Sequence, residues 1–414
     1  MDNEEVAAFE FWFDFSCPYA YLAWTQVEAL AQRTGASVDL RPMLLGGVFR
    51  ALDVPDKLFA SLPEAKARHN AQDLQRYAAL TGVGLRIPPG HPLRTVEALR
   101  ALLVVGPPWE KLIDRFYKAY WVENLDIGKP EVLMSLLGDL GYDGADVLRK
   151  TRDSKVKEAL RQQTDEALAK GVFGAPAFVV DGALFWGRDR IDMVEAALGG
   201  TPAPLVSDSM EFIHPVDVFF DYSSPFSRVG VALAERIFGD YARYRPMLLG
   251  GLYRAMGTPD VPLFLMNDSK RAFMHVDLER QAERAGLSMS WPSRFPMNTI
   301  LALRMTLAAG AGSTAEGRRL MHRIFAAYWD EDRDISEAAV LADFTPDGAE
   351  LLERTSDPAI KEALREETEA ARALGVFGAP AFVVRPEGRE PALFWGADRI
   401  ELAARAAAGD ERLL

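Results

Sequence analysis

The sequence predicts an α/β protein built from two tandem copies of one domain. Three observations carry this expectation. Long segments recur in the same order, apolar strand patterns bracket a long helical stretch in each copy, and a segment rich in Gly, Pro and Ser separates the copies. The chain has 414 residues, 49% hydrophobic and 26% charged, enough for two or three ordinary cores.

The repeat is read directly. Phe13-Asp14-Phe15-Ser16-Cys17-Pro18-Tyr19 returns as Phe220-Asp221-Tyr222-Ser223-Ser224-Pro225-Phe226. Arg41 to Gly47 returns unchanged as Arg245 to Gly251, and Gly171 to Val180 returns unchanged as Gly375 to Val384. Phe185-Trp186-Gly187, with Asp189-Arg190-Ile191, returns as Phe394-Trp395-Gly396, with Asp398-Arg399-Ile400. The spacing drifts only between 204 and 209 residues, so the period is a whole domain and not a short solenoid repeat. The stretch Gly199 to Pro215 has no partner in the first half. The expected division is therefore 1–200, a linker at 201–215, and 216–414.

Within one copy the elements follow from local pattern. Phe9 to Phe15 is apolar and aromatic and reads as a buried strand. Pro18 suits the first turn of a helix, where its missing N–H is not needed. That helix runs to about Arg33 and ends at Gly35. Val38 to Leu44 is a second strand. About Ala51 to Asp146 is helical, broken at Pro88-Pro89-Gly90 and Pro107-Pro108. Lys155 to Lys170 is a further helix. Residues 177–180 and 183–186 flank Asp181-Gly182, a hairpin signal. Asp189 to Leu198 closes the unit. The order β-α-β, helical insert, α-β-β-α is the thioredoxin order with a large α-helical insertion. The fold class expected is thus α/β, two tandem thioredoxin-like domains.

Charge and cysteine content narrow the function classes. The formal charge of −13 supplies no basic footprint, so no nucleic acid partner is expected. The single cysteine, Cys17, permits no intrachain disulfide. Met1 to Glu5 is acidic and lacks a signal peptide's basic and apolar regions. No apolar run approaches the ~20 residues that span a bilayer. The expectation is a cytoplasmic protein with no membrane contact. Five histidines show no paired ligand spacing, so no metal site is expected.

The chemistry concentrates at the start of each copy's first helix. A side chain there sits among unpaired N–H groups and at the positive end of the helix dipole. A thiolate is stabilised there and a cysteine pKa falls. Cys17-Pro18-Tyr19-Ala20 occupies this place in copy one, and Ser224-Pro225-Phe226-Ser227 in copy two. Either side chain could hydrogen-bond a bound thiolate, and only Cys17 could attack a disulfide. Cys17 could equally be an inert helix-start residue, and Ser224 simply an N-cap. Asp14 and Asp221, at the strand ends, are read as structural groups bonding local backbone, with a proton relay as the alternative.

These loops resemble those of the 2-hydroxychromene-2-carboxylate isomerases and kappa-class glutathione transferases, relatives of the oxidoreductase DsbA. Members with a serine carry Ser-Pro-Tyr-Ser after an aromatic-Asp strand, whereas DsbA carries Cys-Pro-His-Cys. Three more motifs match in order. The Gly-Val-Phe-Gly-Ala-Pro segments look like the family's cis-proline loop, which places Pro176 and Pro380 opposite the helix start. By that resemblance Val172 or Ala175, and Val376 or Ala379, offer backbone groups to a glutathione cysteinyl moiety. The Gly-x-Asp-Arg segments look like the γ-glutamyl site, which implies Asp189 and Asp398. The family's usual preceding serine is Arg188 or Ala397 here. Arg294-Phe295-Pro296-Met297-Asn298 resembles the isomerase motif that brings an asparagine to substrate, whereas copy one has Arg94 at that place.

The resemblance implies a glutathione-dependent isomerase, or one using another low-molecular-weight thiol. The thiolate adds reversibly to an unsaturated aromatic-derived acid. Ser224 and Asn298 make copy two the better candidate. The alternatives are a kappa-like transferase or monothiol oxidoreductase using Cys17, or a non-catalytic scaffold. Without a resolving cysteine, Cys17 needs an external thiol to release a mixed disulfide. The paired Lys66 and Lys270, and Arg76 and Arg280, are read as solvated helix faces or as contacts to an aromatic carboxylate substrate. Trp186 and Trp395 are read as core. The family is commonly dimeric, so the fused chain is expected to be an internal pseudo-dimer and a monomer.

Overall fold

The computed structural model describes residues 6–55, 62–207, 209–258 and 261–414. The first five residues, which carry the reading about a targeting segment, lie outside the described residues.

The first copy runs β1 (Ala8–Phe13), α1 (Pro18–Thr34), β2 (Ser37–Pro42), α2 (Leu45–Ala51) and α3 (Glu64–Thr81). It continues through α4 (Val96–Val105), α5 (Glu110–Trp121), α6 (Pro130–Asp139), α7 (Gly144–Lys150) and α8 (Ser154–Ala169). It closes with β3 (Ala177–Val180), β4 (Ala183–Trp186) and α9 (Ile191–Ala197). The second copy repeats this order: β5 (Val216–Phe220), α10 (Pro225–Phe238), β6 (Ala242–Pro246), α11 (Leu249–Ala255), α12 (Asp268–Arg284), α13 (Ile300–Ala308) and α14 (Ala315–Trp329). Then come α15 (Ala338–Ala342), α16 (Gly348–Arg354), α17 (Pro358–Ala373), β7 (Ala381–Val384), β8 (Ala392–Trp395) and α18 (Ile400–Ala407).

Each copy has a four-stranded sheet, in the orders β2-β1-β3-β4 and β6-β5-β7-β8. The first two strands are parallel, the third runs antiparallel to the first and the fourth antiparallel to the third, with Phe11 opposite Leu40 and Phe178, and Val218 opposite Tyr244 and Phe382. This is the thioredoxin arrangement with a helical insertion. The hairpin turn at Asp181-Gly182 has both residues at positive φ, 47° and 79°, which asparagine-type residues and glycine tolerate best. Gly35 takes φ 67° to end α1.

The chain forms two compact units. One comprises Met1–Leu62, Ala71–Ala203 and Asn267–Phe273; the other comprises Pro63–Asn70, Pro204–Met266 and Met274–Leu414. Each unit thus takes in one short helical segment from the opposite half of the sequence, a feature the repeat alone does not reveal. In the first unit Phe11, Phe13, Phe15, Phe116, Tyr117 and Phe178 form the aromatic core, and each is fully buried. Each such side chain contributes roughly 1.5–3 kcal/mol by leaving water. In the second unit Phe219, Met247, Leu252, Ala371 and Val383 pack together. Among the described residues no helix is long and apolar enough to cross a membrane.

Candidate active site

The site begins with a buried aspartate. β1 stops at Phe13, two residues earlier than its apolar run, because Asp14 turns the chain. Its carboxylate accepts hydrogen bonds from the N–H of Ser16 at 2.9 Å, the N–H of Leu45 at 2.8 Å and the hydroxyl of Thr95 at 2.8 Å. Asp221 repeats this with the N–H of Ser223 at 2.9 Å, the N–H of Leu249 at 2.7 Å and the hydroxyl of Thr299 at 2.8 Å. Each carboxylate ties the loop to the second helix and to the insert. Burial pushes both carboxyls above their ordinary range, and the donated bonds pull them partly back. These contacts favour the structural reading of both aspartates. A second brace comes from the insert. The indole N–H of Trp121 donates to Phe15 O, and that of Trp329 to Tyr222 O, both at 2.9 Å.

The braced loops present Cys17 and Ser224 at the N-caps of α1 and α10, each followed by proline. The Ala175-Pro176 and Ala379-Pro380 bonds are cis, as the resemblance implied. The Ser224 hydroxyl donates to the Ala379 carbonyl at 2.9 Å. It also accepts from the Ser227 N–H at 3.2 Å. The Cys17 thiol donates to the Ala175 carbonyl at 3.0 Å, and no side-chain bond caps its helix.

The expected low pKa of Cys17 is corrected here. The residue is 7% exposed, and burial pushes its thiol up to about 12. The N–H groups of Tyr19 and Ala20 pull in the other direction and are outweighed, and the Asp14 charge adds to the rise. The helix start does favour the anion, but desolvation beneath the cis-proline loop costs more.

The paired valine and alanine candidates separate. Val172 and Val376 are each 1% exposed, and their N–H groups bond to Ala167 and Ala371 at the ends of α8 and α17. Their N–H groups are therefore unavailable to a ligand. Ala175 and Ala379 are the residues that face the helix start.

Asp189 and Asp398 lie on short turns after β4 and β8. Each is 3.3 Å from a guanidinium, that of Arg190 or Arg399. Asn298 is exposed and its carboxamide oxygen accepts from the Ile300 N–H at 3.0 Å, closing a turn just before α13. Its neighbour Thr299 bonds Asp221, which draws this segment to the loop. The structure therefore brings Ser224, Ala379 and Pro380 into direct contact range, and places Asn298 one residue from the same hydrogen-bond network.

Trp186 and Trp395 are partly buried rather than core. Lys270 stands over the Trp186 ring at 5.3 Å, and Lys66 over Trp395 at 5.2 Å. These lysines sit in the short segments that join the opposite copy's unit. They are aromatic partners and not plain solvated charges. Arg76 is buried, which pulls it down to about 10 against the opposing charge of Asp73. Sequence reasoning missed Thr95 and Thr299, and Trp121 and Trp329, although each pair recurs at the repeat spacing.

A family model for the DSBA-like thioredoxin domain matches residues 8–199 and 215–408. The 2-hydroxychromene-2-carboxylate isomerase of Sphingobium xenophagum is 28% identical over 199 residues, covering 46% of this chain and 96% of that protein. Human glutathione S-transferase kappa 1 is 28% identical over 205 residues, covering 46% of this chain and 88% of that protein. A solved 2-hydroxychromene-2-carboxylate isomerase matches 46% of this chain and 94% of its own at 26% identity, with TM-score 0.42. The relatives are enzymes, and each spans one copy. With both halves matched by one domain model, the chain belongs to the DsbA-like thioredoxin family and carries that domain twice.

Proposed function

We propose that the second copy is a glutathione-dependent isomerase of the 2-hydroxychromene-2-carboxylate type, acting in the cytoplasm as a single chain. The observation that carries this reading is the Ser224 hydroxyl, held between the α10 N-terminus and the Ala379 carbonyl. A hydroxyl so placed can turn its hydrogen from the carbonyl to a bound thiolate while still accepting from the Ser227 N–H. The helix dipole at the start of α10 adds a fixed positive field.

Glutathione, when bound, supplies a sulfur nucleophile that adds to an unsaturated carbon and leaves again. The residues present fit it. Asp398 offers a carboxylate to its ammonium, and Arg399 beside it offers a guanidinium to its α-carboxylate. The Ala379-Pro380 backbone would meet its cysteinyl part, beside the Ser224 hydroxyl. Asn298 keeps its carboxamide N–H₂ for a substrate carbonyl while its oxygen accepts from the Ile300 N–H. Copy one has Arg94 there, bonded to Glu97 at 2.8 Å. The transferase or oxidoreductase reading through Cys17 is disfavoured by that thiol's burial and raised pKa.

The test is isomerisation of 2-hydroxychromene-2-carboxylate with glutathione, followed by absorbance. Ser224→Ala should lower kcat about 100-fold or more, the scale for removing one donor to a developing or stabilised anion. Cys17→Ala should leave the rate unchanged. Loss of activity with Cys17→Ala and retention with Ser224→Ala would assign the chemistry to the other copy.

A further inference from the structure

A groove in the second unit between α11, α13 and α17 encloses about 300 Å³. That is the lower end of small-molecule sites. No lining residue comes from the 221–227 loop, the cis-proline segment or the 397–399 turn; Ile300, whose N–H bonds Asn298, marks where the groove borders the Ser224 site. Its walls are Leu248, Leu252, Ala255, Ile300 and Leu364, with no aromatic side chain among the described residues.

The rim is cationic in a chain whose net charge is −13. Arg365 is neutralised by Glu362 at 2.9 Å, and Arg372 by Glu369 at 2.9 Å. Arg304 and Lys361 line the same groove and have no ion pair among the described residues. The Nε of Arg304 is buried with no hydrogen-bond acceptor. That nitrogen is sealed from the groove's open space, so the guanidinium would meet an anion there through its other nitrogens.

Copy one provides an internal comparison. Arg100 holds the matching place, and its Nε is likewise buried without an acceptor. The room differs. A Cβ built on Gly47 would meet the Thr164 methyl of α8 at 3.2 Å. On Gly251 the nearest atoms belong to Leu248, at the start of the same helix, at 3.4 Å. The helices are thus closer in copy one and leave a groove in copy two.

We propose that this groove binds an aliphatic monocarboxylate of roughly eight to twelve carbons, a size matched to its volume. The carboxylate sits on Arg304 and Lys361, and the chain lies along Leu248, Leu252 and Ala255. Charge complementarity fixes the head, and the lack of aromatic walls favours an aliphatic body.

Isothermal titration of the full chain with octanoate and with octan-1-ol tests this. One octanoate should bind per chain, about tenfold or more tighter than the alcohol. Arg304→Gln should weaken octanoate about tenfold, and Arg100→Gln should not change it. Gly251→Met keeps a helix-compatible residue and fills the groove, so it should abolish binding while circular dichroism stays unchanged. Equal binding of the alcohol, unchanged binding by Arg304→Gln, loss with Arg100→Gln, or no saturable binding of octanoate would each overturn the proposal.

Discussion

The two helix-start loops share a backbone and differ by one atom type at the key position. In copy one the side chain is a thiol pressed under the Ala175 carbonyl, with no bond to cap its helix. In copy two it is a hydroxyl bonded to both the Ala379 carbonyl and the Ser227 N–H. The loop's aspartate, tryptophan brace and cis-proline are the same in both. Duplication has kept the scaffold and freed the chemical position. A helix N-terminus by itself does not activate a cysteine, because burial can outweigh the dipole.

The largest effect that would break this comparison is catalytic. Ser224→Ala costs about 100-fold in rate and Cys17→Ala costs none, as measured by isomerisation. The next is structural. Asp221→Ala leaves the N–H groups of Ser223 and Leu249 and the Thr299 hydroxyl without their acceptor. A loss of about 2–4 kcal/mol is expected in chemical denaturation, and the same for Asp14→Ala, if the two braces are equivalent. Unequal losses would show that the copies differ in scaffold as well as in chemistry.

A smaller effect comes from the glycines under the tryptophans. A Cβ at Gly174 would lie 2.7 Å from the Trp186 indole nitrogen, and at Gly378 2.5 Å from that of Trp395. Gly→Ala at either should cost about 1–3 kcal/mol through overpacking, read as a lowered melting temperature.

The smallest effect concerns pH. The folded Cys17 thiol has its pKa raised from 9.0 to about 12, so it holds its proton more tightly than in the unfolded chain. Its contribution to stability is therefore full below about pH 9 and is lost as pH rises towards 12. Labelling by a thiol reagent in native buffer should be slow at pH 7 and rise about tenfold per pH unit through pH 10. A plateau below pH 8 would restore the low-pKa reading.

Much of the fold was legible because the repeat repeats its punctuation. Gly35, Asp181-Gly182 and the prolines at the helix starts mark turns whose geometry only those residues favour. The strand end at Phe13 was overrun because Phe15 is as apolar as a strand residue, yet it follows the Asp14 turn. The place of Cys17 was legible; its burial was not, because that depends on Ala175, which lies 158 residues away. Only the hydrogen bond from Val172 to the end of α8 separates it from Ala175 as a ligand contact. The joining of 63–70 and 267–273 to the opposite units leaves no local signal at all.

The claim that copy two alone holds the thiol site is tested most directly by calorimetric titration with glutathione. The wild-type chain and Cys17→Ala should each bind one glutathione with equal affinity, and Ser224→Ala should bind about tenfold more weakly. Two equivalent sites, or binding lost with Cys17→Ala and kept with Ser224→Ala, would contradict it.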